Sequence, residues 1–187
     1  GTGGQSMEAL VTDGFLAGVL DLTTTELADD LVGGVLSAGP ERLEAAGAAG
    51  IPQVVSLGAL DMVNFGPRET VPSQFEDRLL YVHNPTVTLM RTTPEECREL
   101  GRRIGRKLSA ATGPTVLFVP LRGVSMIAAE GQPFHDAAAD EALLAGLEET
   151  LDPDVEVHRL DTDINDEQFA VAMADRLHEL VRQAASA

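Results

Sequence analysis

The chain has 187 residues, 44% of them hydrophobic, and a formal net charge of -17, which suits one ordinary hydrophobic core and is too little for two independent domains. The acidic excess repels a phosphate backbone and only 4% of residues are aromatic, so no nucleic-acid partner is expected. Neither an apolar run long enough to span a bilayer nor a signal-peptide pattern occurs, so no membrane partner is expected and a cytoplasmic location is.

The chain opens on Gly1, Thr2, Gly3 and Gly4 and runs directly into Met7, Glu8, Ala9, Leu10 and Val11. This predicts a glycine-rich turn feeding a helix over residues 5–12. Glycine lets the backbone approach a ligand closely, and a helix start points free N–H groups and its positive dipole end at an anion. Such a loop normally follows a strand, and no strand precedes it here, so the chain is expected to be a fragment.

Val-, Leu- and Ile-rich runs then recur at residues 15–20, 52–57, 79–83, 115–120 and 155–160, which predicts buried strands. Helices are predicted between most of them, over residues 25–32, 41–49, 93–111 and 137–151, with a last one beginning after Asn165. The helix at Thr93 carries the clearest start signal, Thr-Pro-Glu-Glu, a capping box with proline in the first turn. Cys97, Leu100, Ile104 and Leu108 then fall on one stripe, so the single cysteine is read as a packed small hydrophobe. In the last helix Asn165 is the expected cap, with Phe169, Met173, Leu177, Leu180 and Val181 on one face. The stretch 59–78, with Gly66, Pro67 and Pro72, is expected to be a long functional loop. Alternating strands and helices predict an α/β fold, a doubly wound, mostly parallel sheet of about five strands with helices on both faces, in a single domain.

Ligands of such sheets bind beyond the carboxyl ends of the strands. Asp21, Thr23, Thr24, Thr25 and Glu26 follow the first run; Ser56, Gly58, Asp61 and Asn64 the second; His83 and Asn84 the third; Arg122, Gly123 and Ser125 the fourth. The three threonine hydroxyls suit helix capping or phosphate oxygens, whereas Asp21 suits ribose hydroxyls better than phosphate. His83 is the best-placed general acid or base, with Asp61 to orient it. The only lysine, Lys107, falls in mid-helix, which disfavours a lysine-dependent phosphate loop. Asp161, Asp163 and Asn165 lack the glycine of a calcium loop, and no firm metal site is expected. Ser56 and Ser125 lack the Gly-x-Ser-x-Gly elbow of a hydrolase.

Six ordered runs, GTGGQSME (1–8), GVLDLTTTE (18–26), SAGPERL (37–43), PQVVSLGALDMVNFG (52–66), HNPTVTLMRT (83–92) and PLRGVS (120–125), resemble the carboxy-terminal half of the Tm-one-like ATP-binding domain family, a UPF group named after a plant virus-resistance protein. The resemblance spans essentially the whole chain. It implies a Rossmann-like half of a longer protein, with a similar α/β domain upstream as partner and a strand just before the glycine run. It also implies ATP or a related nucleotide, or another phosphorylated small molecule, as ligand. Gly1, Thr2, Gly3, Gly4, Thr23, Thr24, Thr25, Asn64 and Asn84 are the candidates for binding, and His83 and Asp61 for catalysis. Two rival readings stand beside it: an enzyme acting on a small sugar or acid substrate, and a regulatory or interaction domain. Self-association into a homo-oligomer is expected from apolar loop and helix surface.

Overall fold

The computed structural model describes residues 1–186. Helix α1 (Thr2–Thr12) leads to strand β1 (Val19–Thr23), then to helices α2 (Glu26–Val32) and α3 (Ala45–Ala49) and strand β2 (Gln53–Gly58). Strands β3 (Met62–Phe65), β4 (Leu80–Asn84) and β5 (Val87–Arg91) follow, then helix α4 (Pro94–Ser109), strand β6 (Thr115–Pro120), helix α5 (Ala137–Glu148), strand β7 (Glu156–Leu160) and helix α6 (Glu167–Ala184).

The fold is α/β. Strands β1, β2, β6 and β7 form a parallel sheet in that order, with Leu20 opposite Val54, Val54 opposite Val116 and Val116 opposite Glu156. Side chains alternate between its faces, as a strand period of two requires. Val55, Leu57, Leu117 and Val119 pack with α2, α4 and α5, while Val54, Val116 and Phe118 pack with Phe169, Met173 and Leu180 of α6. Both faces are therefore covered, which explains the near-continuous apolar runs.

Three local expectations change. The run at 79–83 is not a fifth parallel strand: it forms β4, in a separate antiparallel sheet of order β3-β5-β4. A hairpin turn joins it to β5, with Asn84 Oδ1 accepting from both the N–H and the hydroxyl of Thr86, and so short a link cannot make a parallel crossover. The stretch 59–78 is not wholly loop, because β3 lies within it, followed by 3-10 turns Arg68–Thr70 and Ser73–Phe75 that each start after a proline. The first strand begins at Val19 rather than Phe15, which stands 74% exposed beyond the left-handed Gly14.

Helix ends depart from their sequence signals at several places: α1 starts at Thr2, so Gly3 and Gly4 lie in its first turn rather than in a preceding glycine turn; α3 starts at Ala45 rather than at residue 41; and the cap of α6 moves by one residue. The capping box at Thr93 is complete: Glu96 N–H donates to Thr93 Oγ1 and Thr93 N–H donates to Glu96 Oε2. At α6 the cap is Asp166, which accepts from Gln168 N–H, while Asn165 lies one residue earlier, in a turn where its N–H donates to Asp163. Helices α4 and α5 touch backbone to backbone. A Cβ at Gly101 would collide with the Leu143 carbonyl oxygen and one at Gly146 with the Arg98 carbonyl oxygen. Gly146→Ala is therefore expected to destabilise the domain by roughly 1–3 kcal/mol through overpacking, read as a lower urea midpoint, whereas Gly131→Ala, at an exposed turn with open space around it, is expected to cost about 1 kcal/mol from its positive φ.

Candidate functional site

Helix α1 runs opposite to the strands, so its first turn lies at the carboxyl end of the sheet, beside Glu26 at the start of α2. No side chain caps this end, and the first-turn N–H groups of Thr2, Gly3 and Gly4 have no intrahelical acceptor. Thr2 and Gly3 are exposed, and a Cβ added at Gly3 would meet nothing. Gly4 is buried instead, with Arg42 Nε and Glu26 Oε1 each 2.7 Å from where its Cβ would stand. The exposed Thr23 ends β1 nearby, and the loop after α2 brings Leu36 to the opening, where its carbonyl accepts from the Gly1 nitrogen. Val35 and Leu36 give this rim an apolar surface, at 63% and 44% exposure.

Beneath the cradle lies Arg42, only 2% exposed. Its two terminal nitrogens grip Asp21 in a fork, at 2.5 and 2.7 Å, and it also faces Glu8 at 3.5 Å and Glu26 at 3.6 Å. Charge attraction from these three acids keeps the guanidinium protonated against its burial. Glu8 is pushed up from the usual carboxylate range by burial, only partly offset by the Leu43 N–H and by Arg42. That N–H donates to Glu8 Oε1 and holds Leu43 at φ 77, a backbone conformation that costs about 1–3 kcal/mol for a non-glycine residue and persists only where surroundings enforce it. Arg42 is not among the candidates named from the sequence, although it stands inside the SAGPERL run.

The remaining candidates divide between the cradle and structural roles. Thr24 is fully buried and donates to the Ser56 carbonyl; Thr25 donates to the Met62 carbonyl and accepts from Asn64 Nδ2. Asn64 is fixed further by Asp29, whose Oδ1 accepts from the Asn64 N–H at 2.7 Å while Oδ2 accepts from Leu36 N–H at 2.8 Å. These hydroxyl and amide groups tie β3 and the Leu36 loop to α2. His83 and Asn84 sit at the exposed tip of the β4–β5 hairpin. Asp61 precedes β3 at the other end of the antiparallel sheet, where Met62 faces Arg91, so the fold does not bring His83 and Asp61 together.

Asp61 has its own environment. It is 1% exposed; its Oδ2 accepts from Ser125 Oγ at 2.7 Å and its Oδ1 has no partner. Burial raises its pKa, against the opposing pull of Ser125 and Arg91. Elsewhere Asp161 is forked by Arg122, and no metal-ligating cluster occurs among the described residues. Lys107 is paired with Glu44 and the Pro40 carbonyl, Arg103 with Asp30, and Arg106 with Glu99. These cations line a groove of about 550 Å³ between α3 and α4, to which α1 contributes no residue, and each already has a carboxylate partner.

The geometry defines the class: a parallel α/β domain with an uncapped, glycine-opened helix start at the carboxyl end of its sheet. Residues 1–181 match the family described as Uncharacterised protein family (UPF0261) C-terminal domain, and the chain belongs to that family. It is 56% identical over 184 residues to a UPF0261 protein of Clostridium tetani and 53% identical over 174 residues to one of Rhizobium meliloti. These alignments cover 98% and 92% of this chain but 46% and 44% of the relatives, so the chain spans about half their length. It is also 43% identical over 182 residues to the tomato ToMV resistance protein Tm-1(GCR237), covering 96% of this chain and 24% of that protein. No helix among the described residues is long and apolar enough to cross a membrane.

Two outcomes follow from the buried charges. Arg42→Met leaves Asp21, Glu26 and Glu8 without their cation and is expected to cost on the order of 3–5 kcal/mol in urea unfolding at pH 7. For Asp61 the folded pKa lies above the unfolded one, so its contribution is fully present below the unfolded value of about 4 and is lost as pH rises through the folded value. Asp61→Asn keeps an acceptor for Ser125 and removes that loss. Its melting temperature, compared with the parent across a pH series, is expected to improve as pH rises from 4 to 7.

Proposed function

We propose that this domain binds an anionic small molecule, an ATP-like nucleotide or another phosphorylated metabolite, with the anionic group on the first turn of α1. The observation that carries the reading is the helix start itself: uncapped amides at Thr2, Gly3 and Gly4, with open space in front of Gly3. Aligned peptide dipoles place about half a positive charge there. Thr23 supplies a hydroxyl at the end of β1, and Val35 and Leu36 offer an apolar flank for a ring or chain attached to the anion.

The donor set suits phosphate held by main-chain amides rather than by a lysine, since Lys107 is engaged on α4. Asp21 and Glu26 stand close enough to oppose an anion, and Arg42 offsets them from below. Thr24, Thr25 and Asn64 support the reading indirectly, by holding α2 and β3 in register behind the rim. His83, the candidate acid or base, sits at the tip of the β4–β5 hairpin rather than in the cradle, and the reading offered is one of binding. The upstream α/β domain of the longer protein is the partner that completes the site.

The structure makes a clean substitution available, because a side chain at Gly3 displaces nothing. Gly3→Asp puts a carboxylate in the path of the ligand while complementing the helix dipole, so folding is preserved. In calorimetric titration of the full-length protein with ATP and, separately, with inorganic phosphate, Gly3→Asp is expected to weaken binding at least about tenfold, a loss of about 1.4 kcal/mol or more, and Gly3→Ala to retain it. Equal affinity in the parent and Gly3→Asp removes the helix start from the site.

A further inference from the structure

Strand β1 is the outermost strand of the parallel sheet: β2 pairs with one edge, and no strand among the described residues pairs with the other. Val19 N–H donates inward to the Pro52 carbonyl, so alternation turns the N–H and C=O of Leu20 and the N–H of Leu22 to the open edge, while an irregularity after Asp21 brings the Leu22 carbonyl against Gly58 of β2. Leu20 is 43% exposed there. An unpaired edge with apolar side chains is a template for another strand.

The helices say which strand. The three links β1 to β2, β2 to β6 and β6 to β7 each step to the next neighbour in the same direction, and α2, α4 and α5 lie on the sheet face of Val55, Leu117 and Val119. Helix α1 lies on that face too: its Glu8 meets Arg42, which grips Asp21, and Asp21 stands opposite Val55. Its Val11 packs with Val19, one residue pair along the same face. Parallel crossovers in one sheet share one hand almost without exception, so links on the same face step in the same direction. A strand leading into α1 therefore lies outside β1, parallel to it, and ends where the first turn of α1 begins.

We propose that the open edge of β1 is the docking edge for a parallel strand supplied by the segment that immediately precedes Gly1 in the full-length protein, extending the sheet order to that strand, β1, β2, β6, β7. The relatives have the chain to supply it, since this chain covers 46% and 44% of the two bacterial proteins. The inference stands on topology and is independent of whether an anion binds.

The test uses the full-length protein. Hydrogen exchange resolved to single amides is expected to show Leu20 and Leu22 protected on the order of a hundredfold or more relative to an exposed strand edge, equally at low and high protein concentration. Leu20→Cys, combined with single cysteines walked along about eight residues before Gly1, a typical strand length, is expected to close an intramolecular disulfide at one register only. Protection that grows with concentration would assign the edge to a second copy and overturn the proposal. Rapid exchange at both amides, or no register that closes, would also overturn it. Loss of ATP or phosphate binding with the edge still protected would leave it intact.

Discussion

One buried guanidinium joins the elements around the candidate site. Arg42, from the loop before α3, binds Asp21 of β1 by a two-pronged contact and faces Glu8 of α1 and Glu26 of α2. Three successive elements converge on one cation, supplied by the loop that follows them, that has almost no contact with water. A cluster of three acids and one base is overcharged, and burial pushes the Glu8 pKa up, with the Leu43 N–H and Arg42 opposing the shift. The first turn of α1 sits on this cluster with no spare room: Gly4 has only hydrogen where any side chain would strike Arg42 and Glu26. The position of the helix start is thereby set by electrostatics as much as by packing.

The glycines of the opening run thus have separate tasks. Gly4 permits close approach to Arg42, while Gly3 leaves its outward side free. Behind them, Asp29 gathers the Asn64 and Leu36 amides, so the rim residue Leu36 and strand β3 are held by the same carboxylate. Like Glu8, Asp29 has a pKa raised by burial, with the Asn64 and Leu36 amides opposing the shift. Stability and shape at this end of the molecule depend on acids that are buried, Asp21 and Asp29, or largely withdrawn from water, Glu8 and Glu26.

Much of the architecture was legible in the residues. Val-rich runs marked the parallel strands, the Thr93 capping box marked α4, and the stripe through Cys97, Leu100, Ile104 and Leu108 is buried as its spacing implied. What was hidden depended on pairing between distant segments. The apolar pattern at 79–83 does not reveal whether its partner is parallel or antiparallel; the short Asn84–Thr86 turn was the available clue. Strand β3 is only four residues long and sits among prolines and glycine, so local pattern understates it. At the site, sequence position brought Thr24, Thr25 and Asn64 close to the opening, but their polar groups face inward. Arg42 escaped notice because nothing local distinguishes a buried arginine from an exposed one.

The central claim is that the amides at the start of α1 form the anion cradle. Amide chemical-shift mapping of isotopically labelled full-length protein during a titration with inorganic phosphate tests it most directly, since each N–H reports its own hydrogen bonding. The account predicts saturable shifts that are largest at Thr2, Gly3 and Gly4 and fall away through Val11. Shifts concentrated at Arg103, Arg106 and Lys107 in the α3–α4 groove, or none at the three opening amides, would contradict it.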